Sequence, residues 1–157
     1  MQRDLLAILK NILRLFEKQY MYACTTSDVT ITTQDPTSLT LENFKSAGDL
    51  FTMESGGIRV NRDCVAMITW QAYFTTGYAK NHILHSILAG GSEGNVIKSS
   101  VIQRCPDVTV PYIKIGGSLI APLQKGELLS LRVRNQTAAQ GTIGSGSNNT
   151  YLSVAEL

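Results

Sequence analysis

From Phe44 to Leu157 the chain is a succession of short β-type runs cut apart by glycines, with no helical period between any two of them. The runs are Leu50–Met53, Ile58–Val60, Cys64–Phe74, His82–Ala89, Val96–Arg104, Val108–Ile115, Leu128–Arg134 and Thr150–Glu156. The breaks between them include Gly56-Gly57, Gly77, Gly90-Gly91, Gly116-Gly117 and the tract from Gly141 to Asn149. Parallel strands need crossover connections, usually helices, and these spacings leave no room for them. Short strands at such intervals indicate an antiparallel sandwich or barrel.

Two runs carry more information than the others. In Cys64–Phe74 one face is wholly apolar: Cys64, Ala66, Ile68, Trp70, Ala72 and Phe74. The opposite face, Val65, Met67, Thr69, Gln71 and Tyr73, is mixed. In the last run Leu152 and Val154 point one way, and Tyr151, Ser153, Ala155 and Leu157 the other. A strand of a lone sandwich has one apolar face and one polar face. A partly apolar second face needs a cover, from another subunit or from the chain's own loops. Another subunit is the economical choice, and it marks Met67, Tyr73, Tyr151 and Ser153 as candidate interface residues.

Ahead of this region, residues 1–22 read as an amphipathic helix. Leu5, Ile8, Ile12 and Leu15 recur at a three-four spacing, with Leu6, Leu9, Leu13 and Phe16 as a second row. A helix of this length is marginal alone in water and must bury its stripe. A parallel bundle of its own copies is the first choice, making it a stalk or anchor. The alternatives are its own β domain, another protein or a membrane surface. Asp4, Lys10, Asn11 and Arg14 interrupt the apolar run and no small-residue cleavage site follows, so it does not read as a signal peptide. It is also too short and polar for a membrane span. Residues 23–43, rich in threonine, read as a connector with one short strand at Val29–Ile31, and residues 44–157 as the β domain.

A net charge of +2 with scattered basic residues gives no footprint for nucleic acid. Charged residues are 17% of the chain, below the ~25% of ordinary domains, which leaves more surface for other subunits to cover. Cys24, Cys64 and Cys105 form neither a disulfide framework nor a zinc motif; they read as buried thiols, with a Cys64–Cys105 bridge as the alternative. His82 and His85, three apart, would fall on opposite faces of a strand and cannot chelate one metal within a chain. No serine or threonine has a recognisable base beside it, and the glycine-rich tracts lack the lysine of a phosphate loop. The reading is of a protein that is not an enzyme and needs no cofactor.

Four segments follow one another in a recognisable order. Gly57-Ile58-Arg59-Val60 leads into the long aromatic-bearing run Cys64–Phe74. Leu123-Gln124-Lys125-Gly126-Glu127-Leu128-Leu129-Ser130-Leu131 resembles the Leu-x-x-Gly-Asp-x-Val/Leu segment of the trimeric jelly rolls of tumour necrosis factors and complement globular heads, with Glu127 in place of the aspartate. Thr150–Leu157 is similar to their closing strand, without the usual Phe-x-Gly-Phe. The resemblance implies an all-β, TNF-like antiparallel jelly-roll sandwich on a short N-terminal α-helix, assembled as a homotrimer.

A short helix in place of a collagen-like stalk resembles bacteriophage head-fibre or receptor-binding versions of this fold. The leading expectation is therefore a structural or attachment protein of a phage-like virion, made in the host cytoplasm and built into the particle. Its partners would be itself, another virion protein through the helix, and a cell-surface glycan or protein met by Tyr78, Lys80 and Asn148 in loops. The alternatives are a carbohydrate-binding module, with Tyr78 and Tyr112 as stacking residues, and a secreted TNF-like signalling ligand.

Overall fold

The computed structural model describes residue 8 and residues 17–75, 82–105, 112–137 and 141–157. Thirteen strands lie among them. They are β1 (Tyr20–Cys24), β2 (Val29–Ile31), β3 (Thr37–Ser38), β4 (Glu42–Ala47), β5 (Phe51–Glu54), β6 (Gly57–Val60) and β7 (Cys64–Thr75), then β8 (His82–Gly90), β9 (Val96–Cys105), β10 (Tyr112–Leu123), β11 (Leu128–Asn135), β12 (Gly141–Ile143) and β13 (Tyr151–Glu156).

The strands form two antiparallel sheets. In the first, β7 pairs along its whole length with β10 on one edge. On the other edge it pairs with β13 and then β12. β1 follows β13, β4 follows β1, and β2 follows β12. The second sheet runs β5-β6-β11-β8-β9, with β3 added to β11. Between them lies one core, in which Ile68, Trp70 and Phe74 of β7 and Leu152 and Val154 of β13 meet Leu84, Leu88, Leu129, Leu131 and Val133 of the second sheet. The Trp70 indole N–H donates to Ser86 Oγ at 3.2 Å, a polar tie inside that core. Burying each large apolar side chain contributes on the order of 1.5–3 kcal/mol, so alternation on β7 and β13 fixes which face turns inward.

The structure corrects the sequence expectations at several points. Tyr20–Cys24 is a strand and not the last turn of a helix: Met21 and Ala23 enter the core while Tyr20 and Tyr22 face out. Of the expected helical row, Ile8 is exposed, and Leu5, Ile12 and Leu15 lie outside the described residues. The threonine-rich segment supplies β3 and the start of β4 as well as the expected β2, so strand pairing in the sandwich begins at Tyr20.

Gly116-Gly117 is not a break; it lies inside β10, which continues to Leu123. A Cβ at Gly116 would run into the Trp70 carbonyl, and one at Gly117 would stand 3.0 Å from the Trp70 ring. Glycine is what lets β10 lie this close to β7. Finally, Cys24 and Cys64 are free thiols, which excludes the Cys64–Cys105 bridge. Burial raises both thiols, and the nearby carboxylates Glu42 and Glu156 add to it for Cys24 and Cys64 respectively.

Candidate functional site

The first sheet turns a broad face away from the core, built by alternate residues of β10, β7, β13, β1 and β4. β7 contributes Val65, Met67, Thr69, Gln71, Tyr73 and Thr75, none of them charged. β13 contributes Tyr151, Ser153 and Ala155, and β1 contributes Tyr20 and Tyr22. Strand register sets their neighbours: Ile120 of β10 lies opposite Met67, whose other neighbour is Ala155.

The face divides into three parts. At the end where β7 begins, Val65, Met67 and Ile120 are exposed, Ile120 to 63% and Met67 to 45%. In the middle the Thr69 and Ser118 hydroxyls share a hydrogen bond of 3.1 Å. Toward the other end are two aromatic groups. Tyr73 stacks on Tyr112 with centroids 5.7 Å apart, and Lys114 Nζ lies 5.8 Å from the Tyr73 ring centroid. On the β1 side Tyr22 stacks on Tyr151 at 5.0 Å and meets the exposed Phe44 edge-on at 5.8 Å. Phe44 is 62% exposed.

The loop between β12 and β13 is fastened to this face. Gln71 Nε2 donates to the Asn148 and Asn149 carbonyls at 3.2 and 2.8 Å, and Lys114 Nζ donates to the Asn148 carbonyl at 2.9 Å. The Tyr22 hydroxyl donates to the Ser147 carbonyl. Burial pushes the Tyr22 phenol up to about 12, with Tyr151 and the Cys24 thiol adding to the shift.

Met67, Tyr73, Tyr151 and Ser153, singled out from alternation, thus stand together on this one face. Asn148 is exposed at its margin; Tyr78 and Lys80 lie outside the described residues. Sequence reasoning missed Tyr22, Phe44 and Ile120. Tyr22 was assigned to the helix, Phe44 to a domain boundary, and Ile120 follows the glycine pair. The alternation Tyr20-Met21-Tyr22-Ala23 is the signal that would have found the first. Trp70 is buried, so it offers no stacking surface for a sugar.

A second apolar patch lies on β9, where Ile97 and Ile102 are more than half exposed. Among the described residues β9 pairs only with β8, leaving its other edge open. No group of three metal-binding side chains occurs among the described residues. His82 is buried against the Asn135 amide, 2.8 Å from Nδ1, while His85 meets Gln136 at 3.0 Å. The two histidines have separate partners and do not converge.

These two sheets are those of a TNF-like jelly roll, the class of fold that the geometry defines. Solved structures agree. Murine APRIL at pH 5.0 superposes with a TM-score of 0.70 at 13% identity, over 89% of this chain and 99% of that one. Murine APRIL at pH 8.0 gives 0.71 at 11% identity, over the same shares. Eiger TNF from S. frugiperda gives 0.67 at 15% identity, over 90% of this chain and 93% of that one. At these identities the likeness is one of fold. No protein-family model and no curated protein sequence matches the chain.

Proposed function

We propose that the chain is a non-enzymatic binding domain that works as a homotrimer. The observation that carries this is the outward face of the first sheet, where Val65, Met67, Ile120, Tyr112 and Phe44 are exposed and β7 presents no charge. Apolar patches exposed at both ends of one face mark a contact site. A closed three-fold ring uses two different surfaces of each subunit, since its contacts are head-to-tail. The flat face is one, and the β9 edge with Ile97 and Ile102 is a suitable second. The row Leu5, Ile8, Ile12 and Leu15 would join the copies to one another or to a second virion protein.

In this reading the trimer is the attachment head of a phage-like particle, made in the host cytoplasm, with its loops turned toward a cell surface. The likeness to APRIL and Eiger TNF favours a second reading, a secreted signalling ligand of the same trimeric form. Binding of the fluorescently labelled full chain to bacterial and to animal cells separates them. Saturable binding confined to bacterial cells supports attachment; saturable binding confined to animal cells supports signalling.

A further inference from the structure

A cleft of about 410 Å³ opens between the β8–β9 turn and the β10–β11 turn. Its walls are held from both sides by buried or part-buried charge. Glu127, only 9% exposed, accepts the Gly91 N–H through Oε1 and the Gln124 N–H through Oε2, both at 3.3 Å, so one carboxylate ties the two turns together. Arg59 does the same from behind: its Nη1 donates to the Ser92 carbonyl at 2.9 Å and the Gly126 carbonyl at 2.6 Å, while Glu54 holds the rest of the guanidinium. A Cβ at Gly90 would run into Glu127 and the Lys98 stem, so glycine is what lets these groups meet. A pocket fixed in this way needs little ordering when a ligand arrives.

The lining mixes charge with an apolar wall. Lys98 Nζ lies 2.6 Å from Glu127 Oε1, and an ammonium has three protons to give. Lys125 is exposed; its backbone N–H is bound to Asp63, and its ammonium has no partner among the described residues. The lining carries two ammoniums and one carboxylate, with the Asp63 carboxylate outside it on the Lys125 backbone N–H. Ser92 and Gln124 add a hydroxyl and an amide at the rim, and Val96 and Pro122 supply exposed carbon surface.

An anion with a ring that is polar at its edge and C–H on its face meets every one of these requirements. We propose that the cleft binds a hexuronate residue, its carboxylate on Lys125 and Lys98, its hydroxyls on Ser92, Gln124 and Glu127, and its C–H face on Val96 and Pro122. All the groups come from one chain, and the cleft borders both surfaces proposed for the trimer, since Pro122 lies opposite Val65 and Val96 adjoins Ile97.

The test is calorimetric titration of the full chain, wild type and Lys125→Gln, with sodium glucuronate, glucose and sodium acetate. Lys125 is on the surface, so its variant folds, and a circular-dichroism spectrum checks this. The expected result is saturable glucuronate binding, with glucose and acetate each weaker by about tenfold or more and glucuronate weakened by about tenfold in Lys125→Gln, the value of one charge-assisted hydrogen bond. Absence of glucuronate binding, equal binding of glucose or acetate, or an unchanged affinity in Lys125→Gln would each overturn the assignment.

Discussion

Tyr22 and Tyr151 stack with ring centroids 5.0 Å apart across the β1–β13 pairing, on the outward face of the sheet. The pair fastens the first described strand to the last one in the chain. It also buries the Tyr22 phenol, which raises its pKa from the ordinary 10.0 to about 12. The folded chain therefore holds this proton more tightly than the unfolded chain does. Below pH 10 both states are protonated and the contribution to stability is complete. Between pH 10 and about 12 the unfolded chain ionises first, so stability falls as pH rises. Tyrosinate absorbance during a base titration should show a late-titrating phenol that is lost in Tyr22→Phe. A wild-type titration with no phenol above the ordinary range would contradict this.

Met67 and Ile120 lie opposite each other at the start of β7. Met67→Lys with Ile120→Lys should leave the fold intact, because both side chains point away from the core. It should reduce the proposed trimer to single chains, because each contact would then desolvate unpaired ammoniums at a cost of several kcal/mol. Sedimentation velocity together with circular dichroism reads both effects. A variant that keeps the wild-type mass shows that this face is not the contact.

Trp70 joins the two sheets through Ser86. Trp70→Ala should cost about 3–5 kcal/mol of unfolding free energy by emptying the centre of the core. Ser86→Ala removes only the acceptor of a buried N–H and should cost about 1–3 kcal/mol. Urea unfolding measures both. A Ser86→Ala variant as stable as wild type would mean that the indole N–H finds another acceptor.

Gly116 lies where a side chain would strike the Trp70 carbonyl. Gly116→Ala should destabilise by about 1–3 kcal/mol through displacement of β10 from β7. Gly126 is a useful contrast: its Cβ would meet nothing, and only its φ of +85° opposes substitution. Thermal melts of the two alanine variants separate crowding from backbone strain.

How much of this was legible in the sequence depended on whether a residue's role was local. Alternation on Cys64–Phe74 fixed the inward row Cys64, Ala66, Ile68, Trp70, Ala72 and Phe74 and the outward row around Met67 and Tyr73, because side-chain direction in a strand follows from parity alone. The same rule placed Leu152 and Val154 inside. Gly116-Gly117 was misread because its reason is another strand: only the approach of β10 to Trp70 shows why glycine stands mid-strand. Tyr20–Tyr22 was absorbed into a helix because it follows an apolar row at helical spacing, and one of its two partner strands, β13, lies more than a hundred residues away. The cleft beside Glu127 was invisible for the same reason, since Gly91, Arg59 and Lys98 reach it from separate strands and turns.

The most direct test is the mass of the full chain in solution by light scattering coupled to size exclusion. Covering the Met67–Ile120 and Tyr22–Phe44 surface with sister subunits predicts a single species near three times 17.1 kDa. A monodisperse species of one chain's mass at tens of micromolar would contradict it.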